Sequence, residues 1–232
     1  IMLDVKKINL SYGSSQILFD VSIKAKKGNI TCLMGSNGVG KTSLLKFLSG
    51  IHNAKNGTYF YNNQDIFNLP SHKLAKLGIG YVPQGRDIFP LLSVKENLEI
   101  GFACLDKKKW FVPDEIFDLF PILKKMLHRR GGDLSGGQQQ QLAIARALIA
   151  KPSLLLMDEP TEGIQPNIIK QIGEVILYLK KEKKITIFLV EQYFDFAFNL
   201  SDYFYVMQRG KIIIEGDKEK LDKKLLKSQL SF

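Results

Sequence analysis

Eight residues, Gly35-Ser36-Asn37-Gly38-Val39-Gly40-Lys41-Thr42, match the pattern G-x-x-x-x-G-K-[ST]. They follow a short apolar run, Ile30 to Met34, and open a helical segment, Lys41 to Leu48, with Leu44, Leu45 and Leu48 as its apolar stripe. Strand, glycine loop and helix in that order make a phosphate-binding loop; an ordinary glycine turn carries no such flanks. Gly35, Gly38 and Gly40 let the backbone curl around an anion without Cβ clashes, and the N–H groups of Ser36, Asn37 and Val39 join the helix N-terminus in facing it. The pattern assigns Lys41 to the β- and γ-phosphates of a nucleotide and the Thr42 hydroxyl to Mg²⁺, with Ser43 adding a phosphate contact.

A nucleotide hydrolase needs carboxylates beside such a loop. Leu154-Leu155-Leu156-Met157-Asp158-Glu159 is an apolar strand that ends in two. Asp158 is expected to hold the metal's water shell, and Glu159 to polarise the water that attacks the γ-phosphate in line. Adjacent acids at a strand end also serve as helix caps, but the glycine loop favours the catalytic reading. Tyr12, expected in a turn between the first two strands, is a candidate to stack on adenine.

The rest of the chain alternates. Leu3 to Leu10 and Ile17 to Ile23 read as strands around a turn at Tyr12 to Ser15; Thr58 to Tyr61 and Ile79 to Val82 are further strands, with a short helix at Ser71 to Leu77. Val94 to Leu127 turns helical, interrupted by Pro113 and Pro121, and Gln138 to Ala150 is a helix stopped by Pro152. Helix Ile168 to Leu179, strand Ile185 to Val190, helix Tyr193 to Leu200 and closing strands Tyr203 to Met207 and Lys211 to Glu215 follow. The expected fold is α/β, with helices sandwiching the sheet and an antiparallel N-terminal portion.

Composition narrows the function. A net charge of +10 could mark a nucleic-acid binder. The lysines are scattered, acids lie among them and aromatics do not alternate with them, so no base-stacking surface is expected. Cys32 and Cys104 lack metal spacing, and His52, His72 and His128 are isolated, which predicts no metal centre built on them, no disulfide and reduced, cytosolic surroundings. No apolar run approaches the roughly 20 residues of a membrane-spanning helix, so membrane association is expected through a partner.

Leu134-Ser135-Gly136-Gly137-Gln138, placed before the acidic strand, is similar to the signature sequence of ABC-transporter ATPases. The resemblance covers nearly the whole chain. It implies a single ABC ATPase domain over 1–232: a RecA-like P-loop core, an antiparallel β subdomain and a helical subdomain embedded at about 84–150. It further implies that ATP is the nucleotide, that Leu134 to Gln138 meet the γ-phosphate held by another subunit, and that the working unit is a dimer with two ATP molecules clamped between subunits. Gln84 matches the family's Q-loop glutamine, a link between Mg²⁺, the attacking water and the groove that receives a coupling helix of the membrane subunit.

Gly80-Tyr81-Val82-Pro83-Gln84-Gly85-Arg86-Asp87-Ile88-Phe89-Pro90 and Glu159-Pro160-Thr161-Glu162-Gly163-Ile164-Gln165-Pro166 resemble the ATPases of branched-chain amino acid and urea importers. Arg129 to Gln141 and Val190 to Ala197 look most like the urea type, with branched-chain amino acids or short amides as alternatives. Gln192 stands where the family has a switch histidine and Gln165 where it has the D-loop aspartate. An amide can hydrogen-bond phosphate but cannot become cationic. The resemblance therefore implies a heterodimer with a paralogous, histidine-bearing ATPase ahead of a homodimer. The other implied partners are two transmembrane permease subunits and, indirectly, an external solute-binding protein, with the chain peripheral on the cytoplasmic face of the membrane. A soluble ABC ATPase of repair or translation, and an exporter or regulatory ATPase, are the rival readings. A single glycine loop, no long heptad run and the importer-like segments speak against them.

Overall fold

The computed structural model describes residues 1–229. The chain opens with a hairpin of β1 (Leu3–Tyr12) and β2 (Ser15–Ala25), followed by β3 (Ile30–Met34), α1 (Lys41–Leu48), β4 (Asn56–Tyr61) and β5 (Gln64–Asp65). Next come α2 (Ser71–Lys76), β6 (Ile79–Val82), α3 (Val94–Glu99), α4 (Asp114–Leu119), α5 (Pro121–Lys125) and α6 (Gly136–Ile149). The last part alternates: β7 (Leu154–Asp158), α7 (Pro166–Lys181), β8 (Thr186–Glu191), α8 (Phe194–Leu200), β9 (Tyr203–Gln208), β10 (Lys211–Asp217) and α9 (Lys223–Ser228).

Two sheets result. The first is antiparallel, in the order β2-β1-β4-β5. The alternation in β1 breaks at Lys6-Lys7, where Lys7 takes a left-handed φ of 50° and the pairing shifts between Val5 and Ile8. That bulge returns Ile8 and Leu10 to the face that buries Leu3 and Val5. Tyr12 is the last residue of β1, paired with Ser15, so the hairpin turn is tighter than the Tyr12 to Ser15 turn expected.

The second sheet runs β10-β9-β3-β8-β7-β6, parallel except for the β9–β10 hairpin. β3, β7 and β8 are buried along their whole length, because layers cover both faces. Their side chains alternate between two cores. Cys32, Leu155, Met157, Ile187 and Leu189 pack towards α6, α7 and α8, whereas Leu33, Leu154, Leu156, Phe188 and Val190 pack towards α1 and the antiparallel sheet. α7 buries Ile172, Ile176 and Leu179 on one stripe, each contributing about 1.5–3 kcal/mol relative to exposure.

The segment Val94 to Leu127 is less helical than its pattern suggests. It consists of three short helices joined by 3₁₀ turns at Ile100–Cys104 and Lys107–Lys109. Pro113 stands at the N-cap of α4 and Pro121 opens α5, so each proline starts a helix, and Pro121 also stops α4. Both cysteines are free. No helix among the described residues is long and apolar enough to cross a membrane.

Candidate active site

The carboxyl ends of β3, β6, β7 and β8 lie side by side, which brings four separate segments of sequence to one place. α1 starts there without a side-chain cap and with no acid in its first turn; Gly40 stands at its N-cap with a φ of 111°. The first N–H groups of a helix need acceptors, and here none is supplied by a capping side chain. An anion fits that arrangement.

Lys41, the first residue of α1, is buried and folds back over the loop. Its Nζ donates to the carbonyls of Gly35 at 2.8 Å and Ser36 at 2.9 Å and lies 3.2 Å from Glu159 Oε1. Glu159 follows β7 with a left-handed φ of 48°, a conformation that a non-glycine residue holds only when its surroundings enforce it. Its N–H donates to the Val190 carbonyl at 2.9 Å, and donors surround its carboxylate. Gln192 Nε2 donates to Oε1 at 2.6 Å and also to Asn37 Oδ1, and Gln84 Nε2 donates to Oε2 at 3.3 Å. Lys41, Asn37, Gln84, Glu159 and Gln192 therefore form one bonded cluster.

Asp158, at the end of β7, is buried, and neither of its carboxylate oxygens has a hydrogen-bond partner. Burial first, and then the neighbouring charge of Glu159, push its pKa up to about 6, against the opposing influence of Thr42, Lys41 and Lys46. Two orphaned carboxylate oxygens beside Thr42, in the first turn of α1, suit a hydrated divalent cation, whose donor set is oxygen-only. No cluster of three or more His, Cys, Asp or Glu among the described residues competes with this site for a metal.

The sign of that shift gives a test. The ordinary aspartate value is 3.8 and the folded value about 6, so the folded state holds the extra proton and metal-free stability falls as pH rises through that window. Asp158→Asn is expected to stabilise the metal-free protein at pH 7.5 by about 3 kcal/mol, with the advantage shrinking towards pH 4. Thermal melts in chelator across that range read it; an advantage independent of pH would refute the assignment.

Ser135 caps α6. Its Oγ accepts from the Gln138 N–H at 3.4 Å, and Gln138 Oε1 accepts from the Ser135 N–H at 2.9 Å. Ser135, Gly136, Gly137 and Gln138 line an open cleft of about 720 Å³ with Gln165 and Ile168, while Leu134 is buried behind them. Among the described residues no hydrogen bond joins this segment to the Lys41–Glu159 cluster. Tyr12 is partly exposed; its hydroxyl donates to Ser43 Oγ at 3.2 Å and its ring meets His52 edge-on at 5.1 Å. The Ser43 hydroxyl is thus engaged by Tyr12.

Two further residues bond to members of this cluster, and no sequence motif assigns either a role. Glu162 Oε2 accepts from Gln84 Nε2 at 3.0 Å. Glu191, buried at the end of β8, accepts from the Thr161 N–H and hydroxyl at 3.1 and 2.8 Å and from the N–H groups of Gln192 and Tyr193. Burial raises its pKa, while these bonds pull the other way. It ties the turn after Glu159 to the segment carrying Gln192. A charged residue closing an otherwise apolar strand was the available signal.

A family model described as ABC transporter matches residues 18–162. The high-affinity branched-chain amino acid transport ATP-binding protein BraG of Pseudomonas aeruginosa is 44% identical over 214 residues, covering 92% of this chain and 91% of the relative. The probable branched-chain amino acid transport ATP-binding protein LivF of Archaeoglobus fulgidus is 40% identical over 223 residues, covering 95% and 94%. Among solved structures, a nucleotide-free ATP-binding cassette from an ABC transporter superposes with a TM-score of 0.85 at 30% identity, covering 100% of this chain and 95% of that one.

Proposed function

We propose, on the premise that this chain belongs to the ABC transporter family, that it is the ATP-hydrolysing subunit of an importer of branched-chain amino acids. ATP hydrolysis is its activity and the P-loop ABC ATPase fold its architecture. The likeness to BraG and LivF over nearly full length supports branched-chain amino acids ahead of urea, the solute that the segments around Arg129 and Gln192 suggest by themselves.

The observation that carries the catalytic reading is the Lys41–Glu159 contact at 3.2 Å below an uncapped helix N-terminus. Lys41 rests on two loop carbonyls and the carboxylate of Glu159. When it turns to the β- and γ-phosphates, Glu159 loses that partner and is free to accept a proton from water, while Gln84 and Gln192 keep its oxygens oriented. Thr42, Gln84 and Asp158, the last through water, would hold Mg²⁺, which neutralises phosphate charge when bound. Gly35 to Ser43 cradle the phosphates and Tyr12 stacks on the base.

Leu134 to Gln138 serve the nucleotide of a partner ATPase subunit, across a head-to-tail dimer with a paralogue or a second copy. The segment 84–150 acts as the embedded helical subdomain. Transmembrane permease subunits hold the dimer at the cytoplasmic face of the membrane, and closure over ATP shifts their access because MgATP binds the closed state better. Uptake in vesicles carrying this chain with its permease tests the solute. ATP-dependent leucine entry is expected, and entry of urea alone would reverse the assignment.

A further inference from the structure

Arg86 has no place in that mechanism, yet it sits on one of its segments and touches two others. Gly85, Arg86 and Asp87 all take left-handed φ values, 76°, 76° and 44°. Side chains disfavour that region, so the loop beyond Gln84 is held in place by its neighbours. α6 supplies the hold. Arg146, near its far end, donates through Nη2 to the carbonyls of Asp87 at 2.8 Å and Arg86 at 3.3 Å. In the opposite direction the Arg86 guanidinium donates from Nη1 to Gln139 Oε1 and from Nη2 to the Glu162 carbonyl, both at 3.4 Å. A methyl group on Gly136 would come within 3.2 Å of it.

We infer that Arg86 is a positioning residue, whose guanidinium fastens the loop carrying Gln84 to the first turn of α6 and to the turn after Glu159, so that the three segments shift together. The inference rests on the roles proposed for Gln84 and for Ser135 to Gln138. A planar fork can serve acceptors on two segments at once, which an ammonium on a flexible stem does not reproduce. Both bonds are long, and the cation stands beside the positive end of α6, where it is disfavoured. The clasp is accordingly weak enough to be broken and remade while the segments move. Gln84 donates to Glu159 and Glu162 only two residues away, so movement at Arg86 reaches the carboxylate directly.

The test uses Arg86→Ala, Arg86→Lys and Gln139→Ala in the full chain. MgATP affinity is expected to stay unchanged while kcat falls about threefold to tenfold in Arg86→Ala. Arg86→Lys is expected not to restore it, and Gln139→Ala to add nothing once Arg86 is gone. Hydrogen exchange supplies a second readout: amides of residues 84–87 and 135–139 change protection together in the parent chain and independently in Arg86→Ala. Parent-like turnover and exchange in Arg86→Ala, or fully additive losses with Gln139→Ala, overturn the inference. Should Arg86→Ala not fold, Gln139→Ala alone must show the same loss of coordinated exchange, and coordinated exchange there overturns it. A parent chain that binds no MgATP would remove the proposed function instead, and exchange in the nucleotide-free protein would still read the clasp.

Discussion

Glu159→Gln is expected to lower kcat for ATP hydrolysis by about 10²- to 10⁴-fold, the range that a positioned general base contributes, while MgATP still binds. The substitution keeps the shape of the side chain and removes its capacity to take a proton. Lys41 loses one of three partners but keeps the Gly35 and Ser36 carbonyls at 2.8 and 2.9 Å, so the phosphate loop remains furnished. Removing a negative charge beside the phosphates also favours the bound nucleotide. Phosphate release and calorimetric titration with MgATP separate the two effects, and parent-level turnover would remove Glu159 from its role. Light scattering on the same variant reads its partner: a mass of two chains with MgATP means that the chain closes on itself, and one chain with nucleotide bound means that a paralogue is required. Lys41→Ala provides the contrast, since it removes a phosphate ligand and also leaves a buried carboxylate without its cation, so binding is lost along with turnover.

Much of the candidate site could be proposed from the sequence because its chemistry is local. A glycine loop with Lys41 and Thr42, and two acids closing the run Leu154 to Met157, each carry their meaning within a few residues, and continuous apolar strands such as β3 and β8 announce a sheet covered on both sides. The parts that escaped depend on separation in sequence. Glu191 matters because β8 lies beside β7, which brings it to Thr161, 30 residues away. Arg86 reaches Gln139 across 53 residues; each lies in a segment that resembles importer ATPases, but nothing local pairs the two. The helical reading of Val94 to Leu127, broken at Pro113 and Pro121, agrees with α3, α4 and α5 and misses only the 3₁₀ turns between them: periodicity registers which residues face the core, and the 3₁₀ turns keep Phe102 buried without continuing an α-helix.

Gly210→Ala is expected to cost about 2–5 kcal/mol of stability and to lower the melting temperature by roughly 10 °C. Gly210 and Arg209 form the two-residue turn between β9 and β10, with φ values of 73° and 46°, the geometry of a turn whose central residues are both left-handed. Strain at φ is only part of the cost. A Cβ there would lie 2.0 Å from the carbonyl oxygen of Ile17 and 2.9 Å from the Phe19 ring, because the turn is pressed against β2. The backbone of Gly210 also holds two structures together: its N–H donates to the carbonyl of Val39 in the phosphate loop and its carbonyl accepts from the Phe19 N–H, both at 2.9 Å. Moving the turn to admit a methyl group therefore disturbs the join between the two sheets and the glycine loop proposed to bind phosphate. Gly13→Ala is the control, left-handed as well at φ 58° but with nothing within 4 Å of an added Cβ, so it bears the strain alone, about 1–2 kcal/mol. Denaturant unfolding of both variants decides the matter: equal losses would mean that the approach of Ile17 is soft and the turn merely strained, whereas a larger loss at Gly210, with weakened MgATP binding, shows that Gly210 helps the antiparallel sheet support the glycine loop.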